Sequence, residues 1–327
     1  MKIAESWLRQ WANPDLTTEE LGHQLTMLGH EVDDITAEGD GIAEIVVAEV
    51  IECGKHPDAD KLSVCKVSDG GADLLDIVCG APNVRVGLKT PLAKPGVTLP
   101  GGMKLRKAKI RGVVSNGMLC SAVEIGLGEE SDGIMELPAD AQPGQALVEL
   151  LGLPDAVIDV DLTPNRGDCF CILGIARDLA ALTGADLKDS AVAPVEAEID
   201  DTHPVELVEP AGCPRFAGRL VRGIDPVARS PLWMAERLRR AGLRSISPVV
   251  DITNYVMLEF GQPLHAYDAA LLQGPIRPRL AKDGEQVTLL DEKVVELSED
   301  TLVITDDSGP IGMAGIMGGL STAVSET

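Results

Sequence analysis

The chain has 327 residues and a formal net charge of −24, so its surface as a whole repels polyanions such as nucleic acids. A hydrophobic content of 45% excludes wholesale disorder, and the length fits two or three domains. Aromatic residues make up only 2%, which argues against a platform for stacked bases, and neither a bilayer-spanning apolar run nor a signal-peptide core is present, so we expect a cytoplasmic protein.

Residues 1–38 predict two short helices. The first is amphipathic around Trp7, and the second begins at a capping threonine, Thr17 or Thr18, and ends at Gly29. Two short helices cannot bury a core alone. This segment therefore needs a partner elsewhere in the chain.

From Ile42 the hydrophobic period changes to that of strands. Short β-like segments follow at roughly 8–12-residue spacing, separated by glycine and proline, which is typical of a small barrel or sandwich. We predict an OB-fold β-barrel at 39–150, whose open face commonly binds nucleic acid. Composition alone leaves a sandwich open.

Helical periodicity returns after Asn165, with Asp168 as the predicted N-cap and Gly184 as the terminator. Since the helices before the barrel also lack a core partner, we infer that 1–38 and 151–200 form one small α/β domain into which the barrel is inserted. The predicted fold class is thus α+β multidomain.

One long stretch, Ile77–Val123, contains no Asp or Glu in this acidic sequence and holds eight cations. Five of these cations fall in the segment GGMKLRKAKIRG, which we interpret as a turn followed by a strand. On that strand Lys107, Lys109 and Arg111 would face one side, with Lys104 and Arg106 on the other.

Cations spaced along a strand can follow successive phosphates of a nucleic acid, with counterion release supplying the affinity. The alternative is a solvated basic strand that protects a sheet edge from aggregation. The acid-free flanks favour binding. The predicted RNA-binding residues are Arg85, Lys89, Lys104, Arg106, Lys107, Lys109, Arg111, Ser115 and Asn116.

The seven cysteines form no CxxC pair, and their number is odd. This pattern argues against both a disulfide framework and a structural zinc site. We interpret all seven as structural and predict no metal ligands.

A third region, the start of a predicted domain at 211–327, departs from the acidic background through its arginines. Ser230 and Pro231 predict a helix start, with serine as cap and proline at the first helical position. Arginine used without lysine suggests bidentate contacts to carboxylate or phosphate, although surface ion pairs explain it equally well.

Polar residues lie within the apolar segment SPVVDITNYVMLEFGQPLHAYD, and a glycine-rich segment, GPIGMAGIMGG, follows. Each polar group alone is more often a cap or a satisfied core hydrogen bond. Together with glycines that allow close backbone approach to a ligand, they predict the wall of a small-molecule pocket. The phosphate-loop pattern with Lys and Ser/Thr does not occur.

Four collinear motifs carry a family resemblance. HPDADKLSVCKV with IVCGAPNVRVG and KIRGVVSNGMLCSAVEIGL resembles the tRNA-binding OB domain. MKIAESWLRQW before it, LTPNRGDCFCILGIARDLAAL behind it, and SPVVDITNYVMLEFGQPLHAYD with GPIGMAGIMGG resemble the bacterial phenylalanyl-tRNA synthetase beta subunit family. The resemblance covers the whole chain.

This resemblance implies an (αβ)₂ heterotetramer that attaches phenylalanine to tRNA(Phe) with ATP and Mg²⁺, the aminoacylation site lying on the alpha subunit. The beta subunit would contribute tRNA contacts and a B3/B4-like α/β editing domain that hydrolyses mischarged tyrosyl-tRNA. By this resemblance the editing-pocket residues are His265, Arg244, Asn254, Gly318 and Gly319. His265 would position the water or the terminal ribose, and glycine amides would stabilise an oxyanion.

The family's beta subunit is more than twice this long, so the resemblance implies an N-terminal portion with an incomplete editing pocket, inactive alone, and binding neither ATP nor Mg²⁺. Two alternatives remain at this level. One is a free-standing trans-editing hydrolase, and the other is a non-catalytic tRNA-binding module.

Overall fold

The computed structural model describes residues 1–128, 132–189, 191–225 and 228–325, so the predicted domain end at Thr327 lies outside the described residues. The chain folds as two compact units. The first unit is formed by Met1–Leu187 with Pro231–Arg244, and the second unit by Lys188–Ser230 with Ser245–Thr327. Within the described ranges, no helix combines the length and apolar character needed to cross a membrane.

The helices and strands of the first unit include those of both flanks of the barrel. They are β1 (Lys2–Ala4), α1 (Glu5–Leu8), α2 (Thr18–Met27), β2 (Glu31–Glu38), β3 (Val46–His56), β4 (Ala59–Ser68), β5 (Leu75–Cys79), β6 (Lys89–Ala93), β7 (Ala108–Ile110), β8 (Val113–Ser115), β9 (Met118–Leu119), α3 (Leu147–Leu151), β10 (Asp155–Asp161), α4 (Ile172–Thr183) and α5 (Leu232–Arg240).

The two flanks of the barrel meet in one antiparallel sheet of order β1-β10-β2. Strand β10 pairs with β2 from Asp155 opposite Glu38 to Asp161 opposite Glu31. The predicted insertion of the barrel into a small α/β domain is therefore confirmed.

The predicted cap of α2 is confirmed at Thr17. Its hydroxyl accepts the Glu20 amide at 3.2 Å while its own amide donates to the Glu20 carboxylate at 2.8 Å, so both components of a capping box are present. The helix ends before Gly29, whose φ of +89° suits only glycine without strain.

The predicted cap of α4 is wrong. Cys171, not Asp168, caps this helix, because its Sγ accepts the Gly174 amide at 3.3 Å. Asp168 instead accepts two hydrogen bonds from the Arg166 guanidinium, each 3.1 Å long. Gly184, with φ of +71°, ends α4 as predicted.

The inserted segment forms a five-stranded antiparallel sheet of order β5-β4-β3-β6-β9, consistent with an OB fold. Its interior is aliphatic: Val47, Val67, Ile77 and Leu92 are fully buried. Strands β7 and β8 form a separate hairpin beside this sheet. The segment predicted at 39–150 therefore folds as a barrel and not as a sandwich.

Helix α5 belongs to the first unit, although the sequence led us to include it in the domain at 211–327. Arg240 anchors the helix: it is 6% exposed, donates to Asp155 at 2.8 Å and donates to the Leu151 carbonyl at 2.5 Å. Ser230 does not cap α5 as predicted, because its hydroxyl donates to Asp251 at 2.5 Å. The predicted limits of the individual domains stay predictions.

The second unit contains one long helix and a set of short strands. They are α6 (Pro248–Phe260), β11 (Arg277–Leu280), β12 (Gln286–Thr288), β13 (Val294–Glu296), β14 (Leu302–Asp306), β15 (Gly309–Met313) and β16 (Met317–Gly318). Strands β11, β14, β15 and β16 form an antiparallel sheet in that order, and β12 pairs with β13.

Helix α6 carries the serine and proline start that the sequence analysis assigned to α5. Ser247 accepts the Val250 amide at 3.4 Å, and Pro248 occupies the first helical position. Asp251, fully buried in the first turn, accepts hydrogen bonds from the Ile246 amide at 2.9 Å and from the hydroxyl of Ser245. These bonds fix the loop that leads into α6.

Candidate functional site

The basic segment of the barrel forms the β7-β8 hairpin and its approach, residues 104–114, which we call the basic hairpin. Its turn consists of Arg111 and Gly112, with φ of +43° and +89°. Two successive residues in the left-handed region are typical of a two-residue type I′ turn, whose twist matches that of the strands. The hairpin therefore has a tip made of a cation and a glycine.

The predicted strand across this segment is mostly wrong. Only Ala108–Ile110 is a strand, because Lys104 forms an isolated bridge with Thr98 and Arg111 lies in the turn. The predicted alternation of cations between two faces consequently does not hold. The five cations are distributed around the hairpin instead.

All five cations of the basic hairpin are exposed. They are Lys104, Arg106, Lys107, Lys109 and Arg111. Among the residues that the structure describes, none offers these five side chains an ion pair. Their positive charge is available to an external anion.

The other three cations of the acid-free stretch are engaged within the protein. Arg85 donates to both carboxylate oxygens of Glu136 at 2.8 Å, which raises the pKa of this guanidinium. Lys89 donates to the Ala141 carbonyl at 2.6 Å. Lys94 pairs with an aspartate, Asp69, and the ammonium lowers the pKa of that carboxyl. The free basic surface is thus narrower than the sequence suggested.

Ser115 and Asn116 lie at the end of β8. The Ser115 hydroxyl is buried, accepts the Val78 amide at 3.0 Å and donates to the Gly117 carbonyl at 2.9 Å. Asn116 is half-buried, and its backbone N–H donates to the Asp76 backbone carbonyl at 2.7 Å. The Ser115 hydroxyl was predicted to contact RNA, but it already forms hydrogen bonds with two backbone groups.

In the second unit the structure brings His265 onto the Gly318 backbone. A Cβ built at Gly318 would lie 2.0 Å from the His265 Cε1 atom, so only glycine leaves room for the ring. Tyr267 packs against the imidazole edge to face, with ring centroids 4.6 Å apart. Two predicted pocket residues are therefore in direct contact.

Partial desolvation shapes the electrostatics of this ring pair, in which His265 stays exposed and Tyr267 is half-buried. Desolvation lowers the pKa of His265 from its usual 6.5 and raises the pKa of Tyr267 to about 12. Both groups are consequently neutral at pH 7. Tyr267 was not among the predicted pocket residues, although residues two apart in an extended segment such as QPLHAYD lie on one side.

Gly319 does not supply the oxyanion donor that the sequence analysis expected. Its amide donates to the Ile311 carbonyl at 2.8 Å, and a Cβ at this position would lie 2.6 Å from the same oxygen. Gly319 is needed for close packing of β15 and its neighbouring strand. An N–H already engaged in a ladder bond is not free for a developing negative charge.

The remaining two predicted pocket residues occupy different settings. Asn254 is half-buried on α6, and its side chain forms no hydrogen bond within the described residues. Arg244 is exposed and belongs to the first unit, where it follows α5. Asn254, His265, Gly318 and Gly319 belong to the second unit.

One group of potential metal ligands occurs in the described part of the chain. His30, Cys169 and Asp178 have ligand atoms within 4.8 Å of one another. The Arg166 guanidinium donates to the Cys169 sulfur and to the Asp178 carboxylate, each at 2.6 Å, so a cation already lies among them. A thiol and an imidazole also do not suit Mg²⁺, which prefers oxygen ligands. The cluster and Arg166 form a hydrogen-bonded network within the first unit.

Comparison with known proteins matches both units. The family model "Putative tRNA binding domain" matches residues 45–146, and the family model "B3/4 domain" matches residues 212–327. A "Phenylalanine--tRNA ligase beta subunit" from Vibrio vulnificus is 54% identical over 328 residues, covering 100% of this chain and 41% of the relative. The corresponding protein of Pseudoalteromonas translucida is 52% identical over 324 residues, 99% of this chain and 41% of the relative.

Among solved structures, an N-terminal fragment of the phenylalanyl-tRNA synthetase beta subunit from Pyrococcus horikoshii covers 52% of this chain. The match covers 52% of that fragment, with a TM-score of 0.27 and an identity of 14%. The chain spans about two fifths, 41%, of the length of the bacterial relatives that it matches.

Proposed function

Because this chain belongs to the family of phenylalanine–tRNA ligase beta subunits, we propose that it binds tRNA(Phe) through the barrel of the first unit and contributes to hydrolysis of mischarged tyrosyl-tRNA through the second unit. The observation that carries the first part is the basic hairpin. It presents five exposed cations that form no ion pair with any residue the structure describes, in an otherwise acidic protein.

The complete protein would act in the cytoplasm as an (αβ)₂ heterotetramer with the alpha subunit, which would hold the aminoacylation site with ATP and Mg²⁺. We assign neither ATP nor Mg²⁺ to residues of this chain: in the one ligand cluster found in its described residues, Arg166 already donates to Asp178, and the thiol and imidazole do not suit Mg²⁺. The alternative of a free-standing tRNA-binding or trans-editing module has less support, because the relatives are beta subunits of a ligase.

RNA binding by the hairpin would be electrostatic. Each phosphate neutralised by a cation releases counterions, and log Kobs falls with log salt by roughly 0.7 to 0.9 per contact. Because aromatic residues are scarce and the hairpin is built from cations, recognition would follow the phosphate backbone and its shape. Arg85 and Lys89, which are engaged with Glu136 and Ala141, would contribute less than the hairpin.

The test replaces the five hairpin cations by glutamine and measures the affinity of the chain for a tRNA(Phe) transcript between about 50 and 300 mM salt. We expect weaker binding and a smaller salt slope, by roughly 1 for each lost phosphate contact. As a control, five cations of the second unit are neutralised to give the same change in net charge. They are Arg222, Arg277, Arg279, Lys282 and Lys293. An unchanged salt slope in the hairpin variant would refute the proposed role.

For editing, the proposed role of His265 follows from its neutral imidazole and its contact with Gly318. A neutral imidazole can accept a proton from the attacking water or a hydrogen bond from the terminal ribose hydroxyl. The complete beta subunit, complexed with alpha and carrying His265→Ala, should deacylate tyrosyl-tRNA(Phe) more slowly. Undiminished tyrosine-specific deacylation would remove His265 from the mechanism.

A further inference from the structure

The basic hairpin is attached to the barrel at its two ends. At the first end, the Leu105 amide donates to the Val97 carbonyl at 2.8 Å and the Leu105 carbonyl accepts the Gly96 amide at 2.9 Å. At the second end, the Ser115 hydroxyl accepts the Val78 amide at 3.0 Å. Nine residues, 106–114, lie between these anchors, and β8 at their end also packs beside β5.

Within residues 106–114, one hydrogen bond to the remainder of the described residues is found. His56 Nε2 donates to the Ile110 carbonyl at 3.2 Å. His56 ends β3 and is 4% exposed, so this bond is shielded from water. Ile110 is the last residue of β7, and its neighbours in the chain are two of the exposed cations, Lys109 and Arg111.

The tautomer of His56 is fixed by its second nitrogen. Nδ1 accepts the Asp58 backbone amide at 3.0 Å, so Nδ1 carries no proton and Nε2 carries the proton that is donated to Ile110. The ring therefore bridges the β3-β4 turn and the tip of the basic hairpin. Both of its nitrogens are used, and neither is exposed for an external partner.

We propose that His56 is a positioning residue for RNA binding, which holds the tip of the basic hairpin so that Lys109 and Arg111 face the phosphate backbone together. This inference rests on the proposed tRNA-binding function. Without the bond, the tip moves and fewer of its cations reach phosphates at the same time, which lowers both the affinity and the salt slope.

The test uses the 327-residue chain, a tRNA(Phe) transcript and a salt series from about 50 to 300 mM. His56→Phe keeps the ring volume and removes the donor, and His56→Leu is the second variant in case Phe prevents folding. His56→Gln restores an N–H close to the position of Nε2. Val50→Ala is the control for loss of barrel stability, because it creates a cavity in the same strand, β3, away from the hairpin.

We expect His56→Phe to weaken binding roughly 5- to 30-fold at about 50 mM salt and to lower the salt slope by about 1 to 2, the effect of losing one or two phosphate contacts. His56→Gln should recover most of the slope, and Val50→Ala should leave the slope unchanged. In a chain that already carries Lys109→Gln and Arg111→Gln, adding His56→Phe should have almost no further effect.

A salt slope that His56→Phe leaves at the parent value would overturn the inference. So would full additivity with the Lys109 and Arg111 replacements, since it would mean that His56 acts elsewhere in the barrel. If the parent chain itself shows no salt-dependent binding, or the variant lacking all five hairpin cations binds like the parent, the proposed function fails, and the positioning role with it.

Discussion

Replacement of Arg240 by methionine tests whether α5 is an integral part of the first unit. The Arg240 and Asp155 side chains are 5% and 2% exposed, and their ion pair is 2.8 Å long. Methionine keeps the aliphatic volume and removes the charge. It leaves the Asp155 carboxylate buried without its cation and the Leu151 carbonyl without its donor.

The expected loss follows from what remains around Asp155. Removing one partner of a buried ion pair costs about 3–5 kcal/mol. Asp155 still accepts the Ser6 amide at 3.0 Å and the Ser6 hydroxyl at 2.7 Å, which places the cost near the lower limit, about 3 kcal/mol. In a unit of roughly 200 residues this corresponds to a lowering of Tm by about 6–12 °C.

Tryptophan fluorescence measures this effect selectively, because Trp7, Trp11 and Trp233, which are the three tryptophans of the chain, all belong to the first unit. The control is Lys66→Met in the same unit, which breaks a 2.7 Å pair with Asp76 in which both side chains are 42% exposed. That variant should leave the fluorescence Tm essentially unchanged, because exposed ion pairs contribute little to stability. A fluorescence Tm lowered by less than about 2 °C in Arg240→Met would refute the reasoning.

Three further outcomes are expected. Gly318→Ala places a Cβ 2.0 Å from the His265 ring as it now lies, so the ring must move, and tyrosyl-tRNA deacylation by the complete enzyme should fall by roughly 10²-fold at unchanged tRNA affinity. The same deacylation measured against pH should show an acid limb centred below pH 6.5, because partial desolvation lowers the pKa of His265 from 6.5; an acid limb centred above 6.5 would contradict this. Burial raises the pKa of Cys65 and Cys120 to about 12, so Ellman's reagent at pH 8 should leave both unreacted in the native protein and react with all seven cysteines only after unfolding.

Local signals predicted local structure well. The threonine and glutamate capping box of α2 and the glycines that end α2 and α4 are each specified by residues within a few positions of the helix end. The rule that a serine followed by proline begins a helix gave a wrong cap at Ser230. A serine followed by proline occurs twice, and only Ser247 caps its helix, since the Ser230 hydroxyl is drawn to the buried carboxylate of Asp251.

The candidate sites show more clearly which features the sequence alone does not predict. The acid-free stretch correctly located a basic surface, but its width depends on carboxylates distant in sequence: Glu136, which pairs with Arg85, is 51 residues away. Likewise the motif identified His265, whereas its packing on Gly318 and the occupation of the Gly319 amide by Ile311 arise from strand pairing. Sequence reasoning could not supply these long-range partners, because nothing local encodes them.

The pairing of β2 with β10 has a consequence for synthesis on the ribosome. Glu38 and Asp155 lie opposite each other, so the two points where the chain leaves and re-enters the small sheet are neighbours. While β10 is still in the exit tunnel, β2 has no partner, and the intervening barrel is the one part of the first unit that can already fold. A folded barrel brings its own ends together and removes much of the loop-closure entropy that a disordered insert would cost. Nascent chains should therefore complete the barrel first, then the sheet, and receive α5 last.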